Sequence, residues 1–148
     1  MIVDRTYDEP GIKSVITHPD IYPRLIDDFS PKAYDWRPAR NRIYIKGETD
    51  RIFGIVSAVP KSTIVYNVHI NVIPEYRKDF AEEFAHRAIQ WIWDNTEAKK
   101  LVAEIPEYHQ NVVNFAQNVG FQIEGINLNS IQKDGKLYNQ IYLGLSNE

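Results

Sequence analysis

The chain of 148 residues contains no cysteine, which excludes disulfides, thiolate metal sites and a cysteine nucleophile. It has no apolar run approaching the roughly 20 residues of a membrane-spanning helix. Its first residues, MIVDRTYDEP, lack the basic and apolar regions of a signal peptide. A cytoplasmic protein with no membrane partner is therefore expected. Positive charge is not in excess: 17 Lys and Arg against 20 Asp and Glu leave a formal charge of −3, so general attraction to nucleic acid is not expected. His18, His69, His86 and His109 are scattered, without H-x-x-x-H or paired-carboxylate spacing, and no metal site is expected. Neither a G-x-S-x-G nor a Walker-type loop is present.

Hydrophobic residues make up 43% and aromatic residues 12% of the chain. That is enough for one packed domain spanning 1–148, and no repeat, linker or low-complexity tract divides it. The stretch 1–7 reads as a strand, and 10–29 as helical pieces interrupted by Pro19 and Pro23. Residues 30–41 read as a loop. RIYIKG (42–47) and RIFGIVSAVP (51–60) read as strands joined at ETD, and STIVYNVHINVI (62–73) as a β-branched strand. From Arg77 to Asn95 the period changes to that of a helix. Phe80, Phe84, Ala88 and Ile92 recur every fourth residue, with Ala81, Ala85, Ile89 and Trp91 beside them. KLVAEI (100–105) is a short buried strand. A helix over 109–120 carries Val112, Phe115, Ala116 and Val119 on one face and ends at Gly120. Residues 121–131 and 137–145 pair as a hairpin around Asp134-Gly135. The class is α/β (α+β): a mostly antiparallel central sheet of about seven strands flanked by helices.

Several of these segments resemble the GNAT family of acyl-CoA-dependent N-acetyltransferases. Residues 109–145 are similar to the end of the type that acetylates ribosomal-protein N-termini. The shared marks are Gly120-Phe121 closing a helix, then Glu124-Gly125, then the Asp134-Gly135 turn before a strand carrying Tyr138. Val72 to Arg77, VIPEYR, resembles the V-x-P-E-Y-R that leads into the family's coenzyme-binding helix. The resemblance implies acetyl-CoA as cofactor and an amine as acceptor, with direct transfer and no metal. It also implies that the Val72 backbone orients the thioester, that Arg77 and Lys78 meet the pyrophosphate, and that Asn114 lies near the coenzyme, off register from the family's own position at His109.

The family follows its Arg with R-G-x-G-x-G or R-G-x-G-x-A, whose bare backbone N–H groups grip the pyrophosphate at a helix N-terminus. In this chain those positions hold Lys78, Phe80 and Glu82. A ring and a carboxylate stand where the family keeps backbone bare, so the motif is degenerate. The Tyr that many members place four residues before the closing glycine is here Ala116, as small as in the ribosomal-protein type.

Tyr66 and His69 on the fourth strand, and Glu104 on the fifth, are the candidates for proton transfer at the acyl site. Each also has an ordinary reading: a satisfied or solvent-facing histidine, a strand-end carboxylate, a packed tyrosine. His69 alternates with Val68 and Ile70, so it faces away from them. Tyr138 and Tyr142 share a strand face and read as packing. Lys32, Arg37, Arg40 and Arg42 interleave with Tyr34, Trp36 and Tyr44, a pattern that suits nucleic acid or an acidic partner, or else a solvated loop with its rings tucked onto the sheet. Trp91 and Trp93 point to opposite sides of their helix, so one is expected at the surface, where Trp anchors protein contacts.

Two functions follow. One is an acetyl-CoA-dependent N-acetyltransferase acting on an amine. The other is a GNAT-shaped structural or assembly protein of a tailed bacteriophage, since small GNAT-like proteins occur among phage head and internal virion components and their equivalent helix start can also lack the glycines. It would be found in the virion and would need a protein partner. The residues favour no particular oligomeric state.

Overall fold

The computed structural model describes residues 1–148. Its sheet has seven strands, β1 (Ile2–Arg5), β2 (Ile43–Glu48), β3 (Ile52–Pro60), β4 (Val65–Val72), β5 (Lys100–Pro106), β6 (Gln122–Lys133) and β7 (Lys136–Ser146), ordered β1-β2-β3-β4-β5-β7-β6. Every neighbouring pair is antiparallel except β4 with β5. The helices are α1 (Glu9–Ile16), α2 (Tyr22–Leu25), α3 (Pro74–Asn95) and α4 (Gln110–Asn118), with one 3-10 turn at Ala33–Asp35. The mostly antiparallel α/β domain expected from the sequence is the architecture found.

The helices form for local reasons and differ from expectation at their ends. Asp8 caps α1 by accepting from the Gly11 N–H at 3.0 Å. Pro19 separates α1 from α2, whereas Pro23 sits in the first turn of α2 and helps to start it rather than interrupting it. Helix α3 starts at Pro74, one turn before the expected Arg77, because a proline has no N–H to lose at a first helical position. Gly120, at φ +113°, ends α4, and Asp134 (φ 53°) with Gly135 (φ 76°) turns the β6–β7 hairpin.

Packing on the two faces of the sheet makes two cores. One face carries α3 and α4, with Phe84, Ala88, Ile92 and Val113 buried against Val56, Leu101 and Leu143. The expected stripe of α4 shifts slightly: Val113 is buried and Val112 only half-buried. Helix α3 lies so close to the sheet that a Cβ at Gly54 would come 2.7 Å from Phe84 Cε2, and one at Gly47 2.8 Å from Phe84 Cδ1. Those glycines let the ring lie flat on β2 and β3. The other face carries α1 and α2, with Ile12, Val15 and Tyr22 against Tyr44, Ile55 and Ile73.

Neither Trp91 nor Trp93 is freely exposed. Both are half-buried against the core, and Trp91 Nε1 donates to Asp4 Oδ1 at 3.1 Å. Strand β1 runs alongside α3 and covers the Trp91 side of it.

Candidate functional site: the gap between the fourth and fifth strands

Strand β4 pairs with β3 from Val72 back to Tyr66. It pairs with β5 only at Val65–Lys100, Tyr66–Leu101 and Asn67–Val102. Beyond Asn67 the parallel strands part, and a gap opens in the middle of the sheet. The Ile73 N–H donates to Phe53 O at 2.8 Å, so the odd-numbered residues of β4 bond toward β3. By alternation, the N–H and C=O groups of Val68, Ile70 and Val72 point into the gap. An exposed strand edge of this kind accepts an extended, amide-bearing chain as a further β partner. At the vertex, the buried Asn67 Oδ1 has no hydrogen-bond partner, an uncompensated acceptor where the strands separate.

Side-chain alternation sorts the candidates. Tyr66, Val68, Ile70 and Val72 face the α3 side, where Tyr66 packs on the core. Asn67, His69 and Asn71 face the other way. The pairing of Asn67 with Val102 puts Glu104 on the His69 face, and Tyr142 lies beside Glu104 on β7. Thus His69 and Glu104 come together while Tyr66 is turned away from both. Lys61 joins them, with Nζ 3.6 Å from Glu104 Oε1 and 5.2 Å from the Tyr142 ring centroid. Sequence reasoning missed Lys61, which only the β3–β4 turn brings back over β5. Burial first, then the charge of Arg42, lower the pKa of His69 to about 4 against an opposing pull from Glu104. Much of the His69 surface is nonetheless open to solvent, as expected on the floor of a gap. Its imidazole is neutral at pH 7. A base this weak is poorly matched to stripping an ammonium, so His69 serves better as a hydrogen-bonding group.

The far end of the gap is the start of α3. Pro74 supplies no N–H, and the Tyr76 N–H already donates to Ile73 O at 2.9 Å. From Lys78 onward the backbone donors are inside the helical ladder. In this turn the Glu75 and Arg77 N–H groups alone lack a backbone partner, two separated donors rather than a continuous row to grip a pyrophosphate. Phe80 faces inward to Phe53 and Tyr76, with ring centroids 5.4 and 5.9 Å away, while Lys78 and Glu82 are exposed. Arg77 Nε donates to Val72 O at 2.9 Å, which occupies the last carbonyl on the gap's edge and leaves the two terminal guanidinium nitrogens for another partner. Burial, then the neighbouring Arg24, lowers the Arg77 pKa. That Arg24 belongs to α2, and its carbonyl lies 2.9 Å from His109 Nε2 at the start of α4. Helix α2 therefore reaches both helix starts. Asn114 is exposed on α4 and accepts from Gln110 Nε2 at 3.1 Å.

The residues fit an acyl-pantetheine arm at the gap, where backbone amides stand free. At the pyrophosphate end they offer side-chain cations, Arg77 and Lys78, in place of a backbone cradle. No cluster of three or more His, Cys, Asp or Glu is placed to hold a metal ion, and no helix is long and apolar enough to cross a membrane.

No known family profile matches the chain, and no curated protein sequence does. Solved structures do. A ribosomal-protein-alanine N-acetyltransferase from Brucella melitensis superposes with a TM-score of 0.77 at 11% identity, over 99% of this chain and 100% of that one. A GNAT-family acetyltransferase from Streptococcus pneumoniae gives 0.70 at 17% identity, over 99% of both chains. A phosphinothricin acetyltransferase from Sinorhizobium meliloti, solved in complex with AcCoA, gives 0.60 at 13% identity, over 71% of this chain and 60% of that one. The chain has the GNAT acetyltransferase fold.

Proposed function

We propose that the protein is a GNAT-fold N-acetyltransferase that uses acetyl-CoA and acts on an amine by direct transfer. The observation that carries this reading is the gap beyond Asn67, with the backbone edge of Val68, Ile70 and Val72 turned into it. When bound, acetyl-CoA supplies an acetyl group already activated as a thioester. The protein's part is to orient and to exclude water. Val68 and Ile70 offer amide N–H and C=O groups to the arm, and Val72 offers its N–H, since Arg77 holds its carbonyl. Arg77 and the exposed Lys78 are the cations available to the phosphates, and Asn114 is a polar side chain on the neighbouring helix. On the opposite face, neutral His69 and Asn71 hydrogen-bond the incoming amine, and the Glu104 carboxylate beside them, paired with Lys61, draws it in by charge.

The closed ladder of α3 favours a second reading, the fold used without coenzyme as a structural or assembly protein of a tailed bacteriophage. Phe80 is committed to the aromatic cluster there, and Glu82 adds negative charge near the phosphate position. Calorimetric titration with acetyl-CoA and with coenzyme A separates the two. Micromolar binding, weakened tenfold or more by Arg77→Ala, as loss of a charged hydrogen bond implies (about 1.5–3 kcal/mol), supports the enzyme. An amine screen would then identify the acceptor. Absence of binding at millimolar coenzyme overturns it and directs the search to a protein partner.

A further inference from the structure

The basic segment 36–42 is not absorbed by the gap, and it does not dissolve into a solvated loop. It closes a cavity of about 230 Å³ with the end of β1 and the start of α1. Arg5, Arg40 and Arg42 line the cavity, with Tyr7, Tyr44 and the carboxylate of Glu9. None of the three arginines is ion-paired with a carboxylate, although acidic residues outnumber basic ones in the chain. Three like charges gathered around a single carboxylate cost energy unless a further anion joins them.

The backbone holding them is fixed. The Tyr44 hydroxyl accepts from the Ala39 N–H at 2.9 Å, tying the segment to β2. The Thr6 N–H donates to Tyr44 O at 2.8 Å, tying the end of β1 to the same residue. Arg5 stacks its guanidinium 4.8 Å above the exposed Tyr7 ring, which holds the cation in place without neutralising it.

We propose that this cavity is a binding site for a small phosphate-bearing ligand. Three guanidinium groups against one carboxylate leave a net positive enclosure, and guanidinium forks match phosphate oxygens in bidentate geometry. A pocket of this size encloses one phosphate and a few further atoms. A nucleic-acid track would instead be an extended basic groove. The site is separate from the coenzyme end of the gap. Ile43 pairs with Ala58, so Arg42 lies level with Val59, which itself pairs with Asn67. Two strand spacings, about 10 Å, therefore separate Arg42 from the gap on the His69 face. An amine carrying a phosphate at its far end would span that distance, a step that rests on the acetyl-transfer reading; the binding site itself does not.

The test is titration of the full chain with inorganic phosphate and with O-phosphoethanolamine at low ionic strength, followed by backbone amide chemical shifts. Shifts concentrated at Thr6, Tyr7, Ala39 and Arg42 are expected. Arg42→Ala and, separately, the exposed Arg40→Ala should each weaken binding about tenfold, while Arg51→Ala, an exposed arginine elsewhere, should leave it unchanged. Amide spectra of each variant verify its fold, and Arg40→Ala keeps the test intact if Arg42→Ala unfolds. Diffuse shifts, or equal weakening by Arg51→Ala, would overturn the site. Tighter binding of a single-stranded oligonucleotide through the same arginines would overturn the small-ligand assignment. Loss of coenzyme binding in the earlier titration would leave the phosphate result untouched.

Discussion

The close approach of α3 to the sheet can be tested by a pair of substitutions. Phe84 is wholly buried, and Phe84→Ala should cost about 3–5 kcal/mol through lost burial and the cavity left behind. Gly54→Ala places a Cβ 2.7 Å from Phe84 Cε2, 3.0 Å from Cδ2 and 3.3 Å from Val72 Cγ2, closer than van der Waals contact permits. Overpacking of this kind costs about 1–3 kcal/mol. In the double variant the ring is gone, and only the Val72 contact constrains the new methyl, which partly fills the cavity. The double variant should thus be more stable than the sum of the single effects by about 1–3 kcal/mol. Urea denaturation followed by circular dichroism, with the m-value checked for constancy, measures all four proteins. Strict additivity would mean that α3 yields to admit the methyl, and that neither the seating of α3 nor the position of Arg77 beside the gap is set by this ring.

Two further outcomes concern the gap. His69 should titrate near pH 4 by side-chain NMR. Its folded pKa lies below the unfolded value of 6.5, so its contribution to stability is fully present above about pH 6.5 and is lost as the pH falls toward 4. A measured value at or above 6.5 would refute the assignment of a neutral, desolvated ring. Asn67→Val removes a buried acceptor that has no partner, and should be neutral or stabilising by up to about 1 kcal/mol in a thermal melt. A loss of 2 kcal/mol or more would show that the amide is engaged by something at the vertex.

The order of elements was legible because it rests on local patterns. Alternation in β3 and β4, the four-residue spacing of Phe84, Ala88 and Ile92, and the Asp134-Gly135 turn each follow from short-range backbone and side-chain preferences. The degenerate phosphate motif was legible too, as Phe80 and Glu82 stand in the sequence whatever the fold. The parting of β4 from β5 was not, because it depends on two strands separated by the whole of α3 sharing only three paired positions. Alternation along β4 already divides Tyr66 from His69, but the siding of Glu104 with His69 was not legible, because it requires the parallel register of Asn67 with Val102. Lys61 reaches Glu104, and Arg5 meets Arg40 and Arg42, only through contacts between segments distant in the chain. The sequence by itself determined which elements form and which chemical groups are absent from the helix start. Only the tertiary structure decided which side chains share a face, where backbone amides remain unpaired, and which arginines gather around one cavity. Those depend on strand register and long-range packing, and no local propensity encodes either.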